Sequence, residues 1–144
     1  MTFHEKAKNG LLEREVLTTE LLNERDEYGN TVWHKAASYN HLDQIPQHLF
    51  TADVFNQTNE NEITVWQAAA EQDLSFIPIY LFTEEALSNK LWGNVWHTAA
   101  EFSTLKDIPK HLFTKDVLSL SNENGAIVWH FVAGSDTLKI YLNI

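Results

Sequence analysis

The chain contains no cysteine. A disulfide scaffold, a thiolate zinc site and a cysteine nucleophile are therefore excluded, and a reducing compartment fits. Lysine and arginine are scarce, 10 against 20 acidic residues, for a formal net charge of −10. A protein that tracks phosphate backbones needs clustered basic side chains, so nucleic acid is not expected as a partner. An anionic membrane surface is not expected either. No apolar run reaches the length of a membrane span. The opening Met1-Thr2-Phe3-His4-Glu5-Lys6 lacks the basic and apolar regions of a signal peptide. The expectation is a soluble protein of the cytoplasm, its own or that of a cell into which it is delivered. Gly-x-Ser-x-Gly, Walker-type and His-Glu-x-x-His motifs are all missing. Neither catalysis nor a cofactor is expected.

What is present is repetition. The 144 residues, 44% hydrophobic and 21% charged, suit one globular domain with a sizeable core. Four of the five tryptophans fall in a recurring Val-Trp pair, at Val32-Trp33, Val65-Trp66, Val95-Trp96 and Val128-Trp129. Each pair is followed by His34, Gln67, His97 or His130, then by two small residues (Ala36-Ala37, Ala69-Ala70, Ala99-Ala100, Val132-Ala133). Ile-Pro recurs at 45–46, 77–78 and 108–109, and Leu-Phe-Thr at 49–51, 81–83 and 112–114. Leu17 to Leu22 fits the end of the same frame. The boundaries expected are a partial capping unit at 1–25 and units at about 26–58, 59–88, 89–121 and 122–144.

Each unit has a physical reading. Asp26-Glu27-Tyr28-Gly29-Asn30 is turn chemistry, since Asp and Asn bond nearby backbone and Gly admits positive φ. Thr31, Thr64 and Asn94 stand where a helix N-cap belongs; Ile127 holds that place in the last unit and cannot cap. Trp33, Ala36 and Ala37 lie on one face of the helix that follows. Pro46, Pro78 and Pro109 favour the first turn of a second helix. Thr51, Thr83 and Thr114 are placed to cap a third, with Asp53, Glu85 and Asp116 near its positive end, each worth roughly 0.3–1 kcal/mol. No segment sustains strand alternation, and Phe3 to Val16 reads as a polar N-terminal helix. The fold class expected is all-α.

The phrase Asp26-x-x-Gly29-x-Thr31-Val32-Trp33-His34-x-Ala36-Ala37-x-x-x-His41-Leu42 resembles the ankyrin repeat, with Val for its proline and Trp for its leucine. The Ile-Pro-x-His-Leu-Phe-Thr segment departs from the usual second helix of that family. It is similar to divergent ankyrin-like repeats of bacterial type. The resemblance implies an ankyrin-like helical solenoid of about four units with an N-terminal capping helix. It also implies a non-catalytic protein-binding module.

Solenoids hold the scaffold fixed and vary the binding face. The variable helix positions Lys35, Tyr39, Glu71, Thr98, Glu101, Phe102 and Phe131 line the concave face on that analogy. Tyr28, Glu60, Glu62 and Trp92 sit on the connecting tips. The Trp ladder itself reads as core rather than as a base-stacking platform. The regularly placed histidines read as backbone partners rather than metal ligands, because successive units hold them too far apart to share an ion. The acidic balance would steer a basic protein partner, which makes an inhibitor or immunity-type antagonist a specific version of the binding role. Two other classes stay open. One is a homo-oligomeric structural or assembly protein, a weak homodimer through the apolar end at Leu138 to Ile144. The other, with less support, is a metal-dependent enzyme using His and carboxylates.

Overall fold

The computed structural model describes residues 1–88 and 95–121, together with 125, 127 and 128. Among the described residues the chain is all-α, with eight short helices and no strand. They are α1 (Phe3–Lys8), α2 (Thr19–Leu22), α3 (Val32–Ser38), α4 (Ala52–Phe55), α5 (Val65–Ala70), α6 (Glu84–Leu87), α7 (Val95–Glu101) and α8 (Lys115–Leu118). The Val-Trp segments form α3, α5 and α7. The Thr-capped segments form α4, α6 and α8. Helix α1 packs on α3, α3 on α5, and α5 on α7.

Threonine starts most of these helices. Thr31 Oγ1 accepts from the His34 amide at 3.3 Å, while the Thr31 amide donates to His34 Nδ1 at 3.1 Å. Thr64 and Gln67 repeat this reciprocal box at 3.1 and 2.9 Å. Thr18, Thr51, Thr83 and Thr114 each accept from the amide three residues on, at 3.1 to 3.3 Å. Side-chain oxygens thus satisfy amides that a helix start leaves free.

Two expectations need correction. The segments after Pro46, Pro78 and Pro109 are single 3-10 turns, Gln47–Leu49, Ile79–Leu81 and Lys110–Leu112, not second α-helices. Each proline is extended, with ψ near 135° to 139°. Phe50, Phe82 and Phe113 must then return to extended backbone to bury their rings before the next threonine cap. Too few residues remain for a full α-helical turn.

The second correction is at the N-terminus. The helix expected from Phe3 to Val16 ends at Lys8. Gly10 adopts φ +71°, and the Leu11 amide donates to the Lys6 carbonyl at 2.8 Å. The same six-residue closure ends α3 (His41 N to Ala36 O, 2.7 Å) and α7 (Thr104 N to Ala99 O, 2.8 Å). Asn40 and Ser103 hold the equivalent left-handed positions after α3 and α7, at φ +62° and +64°; at Gly10 a Cβ would stand 2.9 Å from His41 Nε2, so glycine also lets that ring lie close. Residues 2–22 therefore repeat the order of a unit in shortened form: a Thr2–Glu5 capping box, α1, buried Leu12, then Thr18 and α2.

The core is a zigzag of rings. Trp33, Trp66 and Trp96 are buried. Each meets the phenylalanine of its own unit edge-on: Phe50 at 4.9 Å, Phe82 at 5.2 Å and Phe113 at 5.0 Å between ring centroids. Phe55 joins two units, 5.8 Å from Trp33 and 5.1 Å from Trp66. Such pairs contribute about 0.5–1.5 kcal/mol beyond their area. Buried Ala36, Ala37, Ala69, Ala70 and Ala99 keep the side chains at the helix contacts small. Trp129 and His130 lie outside the described residues.

Candidate functional site

The tips come first, because they carry several expected contacts. An isolated bridge between Arg25 and Thr31 closes the first tip, and one between Thr58 and Thr64 closes the second. Asp26 Oδ1 accepts from the amides of Tyr28 and Asn30, both at 2.9 Å. Burial works to raise the Asp26 pKa, but these two amides, the Asn30 side chain and Lys35 outweigh it and hold the carboxyl below its ordinary value.

The two tips are joined. Arg25 Nη1 donates to the carbonyls of Gly29 and Thr58, each at 2.7 Å. The Glu60 amide donates to the Tyr28 carbonyl at 3.1 Å, and Asn59 Nδ2 to Asn30 Oδ1 at 2.9 Å. Tyr28 and Glu60 are thus fixed side by side with exposed side chains. Glu62, also exposed, occupies the left-handed region at φ +61°, where Gly29 sits in the first tip. Trp92 belongs to the third tip and lies outside the described residues, as does Phe131.

The helix positions divide into two groups. Lys35 is half-buried, with Nζ 3.8 Å from Asp26 Oδ2. Thr98 is half-buried, and Ala68 in the same register is buried. That stripe is largely closed to a partner. The C-terminal ends of the helices are open. Tyr39 ends α3, is exposed, and carries Lys8 Nζ 5.4 Å from its ring centroid. Glu71 ends α5, Glu101 is the last residue of α7, and Phe102 follows it; all three are exposed.

The structure brings Glu71 and Glu101 together. Burial, then the Glu101 charge, pushes the Glu71 carboxyl above its ordinary value. Both acids also sit where a helix presents partial negative charge, the unfavourable end for a carboxylate. Two like charges at the wrong ends of adjacent helices have no benefit to the isolated fold.

Charge is segregated along the chain as well. Between Lys35 and Lys90 there are eight acidic residues and no lysine or arginine. A second group lies outside the expected set: Phe76, Ile79 and Tyr80 are large, apolar and exposed. The signal for them was in the repeat alignment, at positions after the small-residue pair rather than on the Val-Trp helix.

Among the described residues, no three His, Asp or Glu side chains come together to hold a metal ion. Among the same residues, no helix is long and apolar enough to cross a membrane. No protein-family model and no curated protein sequence matches the chain.

Proposed function

We propose that the chain is an ankyrin-like helical solenoid, one domain of about four units, that binds a basic protein without catalysing a reaction. The partner lies across the C-terminal ends of α3, α5 and α7. Its cations meet Glu71 and Glu101, and Tyr39 and Phe102 supply aromatic anchors on either side. The observation that carries the reading is the Glu71–Glu101 pair. A lysine or arginine between these carboxylates relieves their repulsion and completes the poorly placed charges. The cation-free stretch from Lys35 to Lys90 adds a long-range field of the same sign. A small antagonist that covers a basic enzyme is the specific form of this role.

The test is affinity capture with mass spectrometry, using wild type beside a Tyr39→Ala, Glu71→Gln, Glu101→Gln, Phe102→Ala variant. Basic proteins should be retained by the wild type, released by salt, and lost by the variant. Retention of the same proteins by both forms would remove this face from the function.

A further inference from the structure

The repeat contains its own control for surface composition. Gln44, Gln47 and His48 occupy three positions around the Ile-Pro of one unit, and Asp107, Lys110 and His111 occupy them two units later. In the unit between, the same positions hold Phe76, Ile79 and Tyr80. At the second and third of these positions the backbone is the same 3-10 turn after an extended proline, whereas Gln44 and Asp107 end 3-10 turns of their own and Phe76 does not. The fold accepts polar side chains at the Ile79 and Tyr80 places, so it does not need the apolar ones there. Yet Phe76 is 41% exposed, Ile79 73% and Tyr80 62%. Clustered apolar exposure of this kind marks interaction surfaces.

The patch is also held in place. Tyr80 Oη donates to the Phe50 carbonyl at 3.1 Å, which fixes the ring against the preceding unit. Beside Ile79 a groove of about 380 Å³ runs toward the next unit. Leu74, Ile77 and Phe82 supply its apolar side, and Lys106 and Lys110 stand on the other. Both lysines are exposed. Asp107 shares that wall, but its carboxyl is half-buried against the Leu74 amide and Asp73. The charges this rim presents to solvent are therefore the two ammonium groups.

We propose that Phe76, Ile79 and Tyr80, with the groove rimmed by Lys106 and Lys110, dock a segment of a partner protein that carries large apolar side chains beside carboxylates. The apolar side chains cover Ile79 and Tyr80, and the carboxylates meet the lysines. Charge complementarity selects this occupant, since a basic segment would meet the two ammonium groups. The site is separate from the acidic helix ends and prefers the opposite charge, so either reading stands without the other.

The experiment is fluorescence anisotropy with a labelled peptide of about twelve residues composed of Glu, Leu and Phe, against a counterpart with Lys for Glu. Wild type should prefer the acidic peptide by about tenfold or more. An Ile79→Gln, Tyr80→His variant installs side chains that the neighbouring unit already carries, so it should stay folded, with a melting temperature lowered only by loss of the Tyr80 bond to the Phe50 carbonyl. It should bind the acidic peptide at least about tenfold more weakly, and so should Lys106→Glu, Lys110→Glu. Failure of wild type to bind either peptide, or equal binding by the Gln-His variant, overturns the proposal. Self-association of wild type in sedimentation, abolished in the Gln-His variant, would make a second copy the occupant and overturn it too.

Discussion

His34 Nε2 lies 3.0 Å from the carbonyl oxygen of Ile63, a residue of the following tip. Because the Thr31 amide donates to Nδ1, the ring proton is on Nε2, which donates to Ile63. One imidazole thus caps its own helix and fastens the next unit. Burial, partly opposed by the Ile63 carbonyl, holds its pKa below the ordinary 6.5. With a depressed folded pKa, the stability tied to the neutral ring is complete above about 6.5 and is lost as pH falls through the folded value. His34→Ala should cost about 1–3 kcal/mol at neutral pH, by leaving the Ile63 carbonyl unpaired. His34→Gln should cost less, because Gln67 makes the same box with Thr64. Urea titrations at about pH 7.5 and about pH 5.5 measure both effects.

Asp107 should act in the opposite sense. In the same register, Gln44 Oε1 accepts from the Leu12 amide at 3.0 Å and Nε2 donates to the Gly10 carbonyl at 2.8 Å. Asp107 meets the Leu74 amide, but Oδ2 is buried with no partner among the described residues. It faces Asp73, and two carboxylates bond only when one holds a proton. Burial, then the Asp73 charge, raises the Asp107 pKa above the ordinary 3.8. Stability from the protonated form is present below the unfolded pKa and is lost as pH rises through the folded one. Asp107→Asn supplies the missing donor and should raise neutral stability by about 1 kcal/mol. A lower urea midpoint at neutral pH would refute the assignment.

The left-handed tip positions give a paired test. Glu62→Gly should stabilise the fold by about 1 kcal/mol, since glycine has no Cβ to penalise at φ +61°. Gly29→Ala should destabilise it by more than that. Its φ is +74°, and a Cβ there would stand 2.9 Å from the Glu60 amide nitrogen. Thermal melts of the two variants should move in opposite directions.

The indole nitrogens of Trp33, Trp66 and Trp96 are buried without a hydrogen-bond partner among the described residues. Their contribution is therefore shape and apolar area. Trp66→Ala should cost about 3–5 kcal/mol. Trp66→Phe should cost clearly less, because it keeps the ring contacts and removes an unpaired donor. Equal losses in calorimetry would argue that the nitrogen is partnered.

The parts of the fold legible in the sequence are those set by short-range chemistry. Thr51 announces α4 because a cap and its amide are three residues apart. Trp33, Ala36 and Ala37 announce a buried face because helical spacing is fixed. The 3-10 turn after Pro46 was not legible in this way. Proline is compatible with both outcomes, and Phe50 decides between them by burying its ring on a tryptophan far back in the chain. The end of α1 depends similarly on His41 lying over Gly10. At the proposed binding face, Glu71 and Glu101 could be named from the repeat. Their mutual repulsion required the helices to be stacked. Phe76, Ile79 and Tyr80 look like core residues when their unit is read alone; the polar residues at the same places in the neighbouring units, and then their exposure, distinguish them.

The eight acids between Lys35 and Lys90, with no lysine or arginine among them along the chain, have a consequence for the solvent as well as for a partner. At a net charge of −10 the molecule repels itself, and dissolved ions relieve that repulsion over roughly 10 Å at 0.1 M. Added sodium chloride should then raise the melting temperature while it weakens capture of a basic protein. A partner released by salt would be leaving a molecule that has become more firmly folded. Elution and denaturation are thereby separated within a single titration.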